Sequence, residues 1–323
     1  MEKHFVALAY YLFVELDDPR TEVEKHKSFF ENKECVGRIY ISEEGINGQM
    51  SGSLPDAETY MTWLKQDARF ASVAFKCHEV DEQIFPRMTV KYRPQLVALD
   101  QKIDTKEGGE HVSPARWKEM LESGDYLVLD VRNQYEWEIG HFEGAVLPPL
   151  QTFREFPEYA ENLTQTVDPE KTKIMMYCTG GIRCELYSAL MKKKGFKNIY
   201  QLDGGVINYG LTEGNTHWKG KLFVFDDRLA VPVDGKETQP ISCCTHCKNG
   251  CDIYYNCANM DCNELFICCS SCLEVYQGCC SFECKGASRV RPLDSKTGNK
   301  PFRRKHLISH ACAVQDPKSC SES

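Results

Sequence analysis

Hydrophobic positions in the first hundred residues switch between a period of two and a period near 3.6, which predicts alternating strands and helices. Phe5–Leu16 is an apolar, strand-like run. Pro19 sits at a helix start, and Thr21–Lys33 follows as a polar helix with Phe29 and Phe30 on one side. Gly37–Ser42 and Ile46–Ser51 read as strands joined by the turn Glu43-Glu44-Gly45. Leu54–Lys65 reads as a helix, with Pro55 near its N-terminus and Trp63 and Leu64 as core positions. Val73–Val80 reads as the final strand of the segment.

The order βαββαβ over residues 1–99 is the ferredoxin-like pattern, which hosts many activities and decides none. Glu43, Glu44 and Asn47 read as turn chemistry, and His78 as a structural residue. Asp100–Glu110 is polar and glycine-containing, which suits a linker. Residues 111–218 then read as an α/β unit. Ser113-Pro114 caps and opens a helix through Leu121, and Gly124 ends it. Tyr126–Val131 and Lys173–Tyr177 are continuous apolar strands, as a parallel sheet covered on both faces requires. Glu185–Lys194 is a helix whose last turn carries Lys192, Lys193 and Lys194, complementing its dipole before Gly195. Ile199–Leu202 is a third strand, closed by Asp203-Gly204-Gly205. Lys219–Gln239 reads as connecting sequence.

Composition adds two things. At 323 residues, with 42% apolar and 27% charged residues, the chain is ordinary globular material for two or three domains. It has no apolar run long enough to span a bilayer. The apolar stretch Val6–Val14 is followed by Glu15, Asp17 and Asp18, with no small-residue cleavage site, so the expected compartment is the cytoplasm. The net charge of −8 argues against uniform coating of nucleic acid but hides an asymmetry. Lys285–Lys305 holds eight Lys/Arg residues and one acid, Asp294, which makes residues 291–323 a basic, flexible tail and a candidate polyanion contact. The other departure is 18 cysteines. Only Cys35, Cys77, Cys178 and Cys184 precede residue 240, and twelve fall between Cys243 and Cys284.

In a reducing compartment such a cluster binds metal rather than forming disulfides. Cys244/Cys247 and Cys269/Cys272 are Cys-x2-Cys pairs with 21 residues between the inner cysteines, close to a four-cysteine zinc module. Cys257/Cys262 and Cys280/Cys284 make a second set. Interleaved, they would form a metal-stabilised module over residues 240–290. Structural zinc is the expected ion, with an iron–sulfur cluster as the rival. His246 could replace a cysteine.

The candidate chemistry lies at Cys178-Thr179-Gly180-Gly181-Ile182-Arg183-Cys184, between a strand and a helix. Backbone amides of such a loop and the N-terminus of the following helix offer positive potential to an anion, and a thiolate there has a lowered pKa. Two glycines let several N–H groups face one point. Arg183 adds a fixed positive charge. Cys178 and Arg183 are therefore the candidate catalytic residues. Asp130 and Arg132 read as structural and site-orienting, and His141 as structural. Cys184 reads equally as a resolving thiol or as a small residue packed in the first helical turn.

The segments Asp130-Val131-Arg132, Glu136, Gly140-His141, Gly144-Ala145, the cysteine loop and Leu202-Asp203-Gly204-Gly205 together resemble a rhodanese domain, whose loop cysteine takes up sulfur as a persulfide. The loop is Cys-x4-Arg. Related dual-specificity phosphatases use a loop one residue longer that admits phosphate, so the shorter loop favours sulfur. A ferredoxin-like (acylphosphatase-like) domain, a rhodanese domain and the tail CANMDCNELFICCSSC, in that order, resemble the bacterial rhodanese-containing tRNA uridine hydroxylases over roughly residues 5–290. That resemblance implies a tRNA partner, molecular oxygen as co-substrate and conversion of the wobble uridine to 5-hydroxyuridine, with Cys178 essential. It also implies an electron donor that the sequence does not name. For tRNA contact, the candidates are the basic tail, Lys192–Lys194 and the N-terminal domain. Two rival readings use the same residues: a persulfide-based sulfurtransferase at Cys178 and Arg183, and a non-enzymatic zinc-stabilised adaptor for RNA or protein.

Overall fold

Leu8, Tyr10, Ile39, Ile41, Ile46 and Met50 alternate with polar or small neighbours and are all at most 2% exposed, so one sheet face is fully committed to a core. The computed structural model, which describes residues 5–101 and 103–293, builds this face from β1 (Phe5–Phe13), β2 (Cys35–Ser42) and β3 (Gly45–Ser53). Helices α1 (Pro19–Phe30) and α2 (Leu54–Gln66) cover it. Asp18 and Ser53 cap these helices, and each carries proline in its first turn. β4 (Lys76–Val80) and β5 (Met88–Tyr92) complete the order β4-β1-β3-β2-β5.

The ferredoxin-like expectation holds with one correction: Val73–Val80 is not the last strand. β5 adds to the edge in parallel with β2, pairing Ile39 with Val90. It has five residues between Pro86 and Pro94 and takes its register from a strand fifty residues earlier.

The chain divides into two units, one built from residues up to Asn133 together with Gly144–Thr216, the other from Gln134–Glu143 and residues from His217 onward. In the first unit, β6 (Glu110–Val112), α3 (Pro114–Ser123) and β7 (Leu127–Asp130) follow the ferredoxin-like part. Ser113 caps α3, and Gly124 ends it at φ 72°. The chain next forms α4 (Gln134–Trp137) and β8 (Gly140–Phe142), which belong to the other unit. It then returns with α5 (Phe156–Thr164), β9 (Lys173–Tyr177), α6 (Ile182–Lys193), β10 (Asn198–Leu202) and α7 (Gly205–Glu213). The sheet β6-β10-β9-β7 is parallel throughout. Ile174, Met176, Leu190 and Ile199 fill its core, and Phe156 stacks on Tyr187 at 3.9 Å.

In the second unit, β8 pairs with β11 (Trp218–Gly220), and Phe142 meets Trp218 edge to face. β12 (Leu222–Phe223) pairs with β13 (Ala230–Val231), and β14 (Tyr254–Asn256) with β15 (Leu265–Ile267). α8 (Ser270–Val275) and α9 (Phe282–Lys285) close it. The buried Tyr254 hydroxyl donates to the Tyr135 carbonyl at 2.7 Å, so residues 134–143 are packed with the C-terminal part. His141 Nδ1 lies 2.9 Å from the Trp137 carbonyl, a structural role as expected.

The chain stays packed through Leu293. Arg289 pairs with Asp261, and Arg291 donates to the Cys257 carbonyl at 2.6 Å, so these two cations of the basic stretch are already engaged. The tail proposed for polyanion contact otherwise lies outside the described residues. Among the described residues, no helix is long and apolar enough to cross a membrane.

Candidate functional site

β9 delivers Cys178 to the end of the parallel sheet, and α6 starts at Ile182, three residues earlier than Glu185, so Arg183 and Cys184 sit in its first turn. Gly181 takes φ 101°, a conformation that favours glycine, and its N–H donates to Cys178 Sγ at 3.1 Å. The turn after β10 clamps the loop. Val206 N–H donates to the Cys178 carbonyl and Ile207 N–H to that of Thr179, both at 3.0 Å. Gly205, at φ 66°, leaves no room for a side chain: a Cβ would stand 2.6 Å from the Cys178 carbonyl oxygen and 2.7 Å from Gly181 N. Gly205 therefore acts on the shape of a loop some 25 positions earlier.

Burial alone would raise the Cys178 thiol. A hydrogen bond from the Cys184 thiol, the Arg183 guanidinium, and the N–H groups of Arg183 and Gly181 outweigh it and hold Cys178 well below the ordinary thiol value. Cys184 goes the other way, pushed well above it by burial and by the neighbouring Cys178 sulfur. The two shifts favour a Cys178 sulfur that accepts from the Cys184 thiol, and Cys184 is packed in the first helical turn, as its structural reading expects. Arg183 is 4% exposed, with its guanidinium 5.0 Å from the Phe153 ring centroid and Nη2 3.4 Å from Thr179 Oγ1.

Asp130 and Arg132, both 0% exposed, form a two-pronged ion pair at 2.6–3.1 Å, and the Arg132 guanidinium lies 5.6 Å from the ring centroid of Tyr177, the residue before Cys178. They brace the strand end next to the loop. Lys192 and Lys193 occupy the last turn of α6, and Lys194 is ion-paired with Glu161, in line with dipole complementation.

Three residues at the loop were not anticipated. Lys76 on β4 donates from Nζ to the Gly180 carbonyl at 2.8 Å. Burial lowers its pKa, against the pull of Cys178, Asp203 and Glu185. Tyr11 on β1 donates to Glu185 at 2.9 Å, and its hydroxyl lies 2.8 Å from where a Gly181 Cβ would be. Burial and the Glu185 carboxylate push its phenol far up. Glu185, in the first turn of α6, also receives Gln201 at 3.4 Å and faces His111 at 3.2 Å. The only sequence signal for Tyr11 and Lys76 is that both fall on strand positions pointing away from the helices.

In the second unit, eight cysteines gather into two tetrads, Cys244/Cys247/Cys269/Cys272 and Cys257/Cys262/Cys280/Cys284, with all sulfurs of a set within 4.8 Å of one another. These are the sets read from spacing. Cys247–Cys269 and Cys262–Cys280 are 3.7 Å apart and Cys280–Cys284 3.8 Å. A tetrahedral ion with metal–sulfur bonds of about 2.3 Å requires sulfur–sulfur edges of about 3.8 Å, so the donor sets fit zinc. Backbone N–H groups point at the sulfurs as well, such as Cys280 N–H at Cys257 Sγ, 3.4 Å away. His246 lies outside both tetrads, stacked on Tyr276 at 3.6 Å. Cys251, Cys268 and Cys279 are buried in the apolar core.

Three family models match consecutive parts of the chain: the UPF0176 acylphosphatase-like domain at residues 5–96, the rhodanese-like domain at 113–210 and the rhodanese C-terminal region at 219–285. Relatives named tRNA uridine(34) hydroxylase are similar along nearly their whole length. The Chlamydia felis protein is 59% identical over 322 residues, 99% of both chains. The Chlamydia trachomatis serovar D protein is 57% identical over 99% of both. The Chlamydia muridarum protein is 60% identical over 95% of this chain and 94% of its own. Identity at this level along nearly the full length of both partners makes this chain a member of the tRNA uridine(34) hydroxylase family.

Proposed function

We propose that this protein hydroxylates uridine 34 of tRNA to 5-hydroxyuridine, with Cys178 as the nucleophile. The observation that carries the reading is a buried Cys178 whose sulfur receives Gly181 N–H and is favoured as a thiolate by Cys184 and Arg183, within a chain of the family named for that reaction. A thiolate attacks electron-poor carbon. Addition of Cys178 Sγ to uracil C6 gives C5 enolate character, and C5 can then attack molecular oxygen. One oxygen atom stays on C5, and the other leaves as water after uptake of two electrons and two protons. The reaction therefore needs a two-electron donor. Loss of the C5 proton and expulsion of the thiolate restore the ring. Arg183 and the loop amides keep Cys178 ionised before attack and accept its charge again on release.

The same cradle also suits a persulfide, so sulfur transfer is the competing use of the loop. It predicts thiosulfate-dependent sulfur transfer with tRNA unchanged, whereas hydroxylation predicts the new nucleoside. The discriminating experiment compares tRNA nucleosides by mass spectrometry after incubation with wild type and Cys178→Ser.

Each tetrad is assigned one structural zinc ion. Four thiolates leave no open coordination position, so the ions supply stability rather than a reaction step.

A further inference from the structure

The face of the five-stranded sheet opposite α1 and α2 carries a basic and aromatic row that the reaction above leaves unused. Strand register lays it out. Tyr11 on β1 aligns with Asn47 on β3, Asn47 with Tyr40 on β2, and Tyr40 with Lys91 on β5. In the next row, Lys76, Ala9, Gln49, Arg38 and Thr89 align in the same way. The alternate positions fill the core under α1 and α2, which puts both rows on the opposite face.

Two guanidiniums converge on Tyr40. That of Arg93 lies 5.0 Å from its ring centroid, and the positive charges of Arg38 and Arg93 both act on its phenol. Burial would raise that phenol's pKa; the guanidiniums outweigh it and lower it, as a local positive potential does. Lys91 and Arg93 are exposed. The acids of the adjoining turn are held by other donors: Glu43 receives the Tyr92 hydroxyl at 3.0 Å, and Glu44 receives Leu96 N–H at 3.1 Å. On a chain of net charge −8, such a row marks a place for an anion.

The other end of the row reaches the reactive loop, where Tyr11 and Lys76 touch Glu185 and Gly180. Strands lie about 4.8 Å apart, so the Tyr40 backbone is roughly 10 Å from that of Tyr11, two strands away. An open β-sheet with aromatics is also an established platform for single-stranded RNA, whose bases stack while cations hold the backbone.

We infer that this sheet face is the RNA platform of the protein: Arg38, Lys91 and Arg93 hold phosphates of the unpaired anticodon segment beside the target nucleotide, and the Arg93–Tyr40 pair supports a neighbouring base. The inference rests on the functional reading above and says where on the chain its substrate lies.

The test uses the full-length protein and fluorescence anisotropy with unmodified, transcribed tRNA carrying uridine at the wobble position. The exposed pair is changed as K91Q/R93Q. Kd should rise about tenfold, and the slope of log K against log salt should fall by about 1.4, the value for two phosphate contacts on a single strand. K91R/R93K should bind like wild type. K25Q/K27Q, which removes the same charge from α1 on the other side of the sheet, should leave Kd and slope unchanged. Wild-type Kd and slope in K91Q/R93Q would overturn the platform. So would an equal loss in K25Q/K27Q, which would show a response to net charge alone. If wild type itself neither binds nor hydroxylates the tRNA, the functional reading falls too. If wild type and K91Q/R93Q bind and hydroxylate equally well, only the platform falls.

Discussion

Lys76 Nζ lies 2.8 Å from the carbonyl oxygen of Gly180, which joins the ferredoxin-like sheet to the loop that carries Cys178. The contact spans 104 positions in the chain. It fixes the loop carbonyl and sets the half-buried Lys76 amine where the Cys178 sulfur pulls its pKa up against burial. Lys76→Met keeps the length and apolar stem of the side chain but removes the donor and the charge. 5-Hydroxyuridine formation should fall on the order of tenfold to 100-fold, as small misplacements of reacting groups do. The rate should be read in single turnover, with tRNA affinity measured in parallel. Unchanged single-turnover rates would remove Lys76 from the site.

The two loop cysteines titrate in opposite directions, and this sets a pH signature. Cys178 is depressed in the folded state, so its contribution to stability is present above the ordinary thiol pKa and is lost as pH falls through the depressed value. Cys184 is raised, so its contribution is present below the ordinary value and is lost as pH rises through the raised one. Alkylation of Cys178, followed by peptide mass spectrometry against pH, should therefore show a thiolate persisting well below the usual thiol range. Cys184→Ala removes the thiol that donates to it, and the midpoint should move up. A midpoint at the ordinary thiol value in wild type would contradict the assignment.

Gly205 is the tightest point of the loop's support. A Cβ there meets the Cys178 carbonyl at 2.6 Å, and the residue stands at φ 66°. Gly205→Ala should cost about 2 kcal/mol or more, from backbone strain together with displacement of the loop. Thermal or urea unfolding gives the cost. Product formation should fall further than stability does, because the shift is delivered to the Cys178 backbone. Gly124→Ala serves as a comparison, since that glycine also has positive φ but a Cβ there meets nothing within 4 Å.

Metal analysis of the purified chain should give two zinc ions per molecule. Cys247→Ser/Cys269→Ser removes half of one tetrad and should leave one ion, while Cys262→Ser/Cys280→Ser should do the same through the other. Chelation should unfold residues of the cysteine-rich part, read by loss of amide protection around Tyr254–Ile267. One ion lost in each double variant would match two independent sites. Loss of both ions from a single double variant would mean that the sites fold as one.

Local chemistry was legible in the sequence, and long-range contacts were not. Ser113, Pro114 and Gly124 mark α3 because a cap, a first-turn proline and a left-handed stop act within a few residues of one another. The tetrads were readable for a similar reason: cysteine pairs with two to four residues between them can bind one ion from one turn, and the two sets interleave along the chain. The cysteine loop announced its charge through its glycines and Arg183. Its support did not show itself, since Tyr11 reaches Glu185 across 174 positions. Residues 134–143 read as part of the unit around them, yet Tyr254 binds the Tyr135 carbonyl 119 positions away. β5 was missed because five residues between prolines hold a strand only through β2 beside them.

The central claim is that Cys178 performs the hydroxylation rather than shaping the protein around it. Cys178→Ser replaces sulfur with a hydroxyl of nearly the same shape and keeps the loop's N–H donors in use. Purified variant and wild type should be incubated with the same transcribed tRNA and an electron donor under air, and the nucleosides digested and weighed. The account predicts 5-hydroxyuridine from wild type, none above background from Cys178→Ser, and equal tRNA affinity for both. Wild-type levels of 5-hydroxyuridine from Cys178→Ser would contradict it.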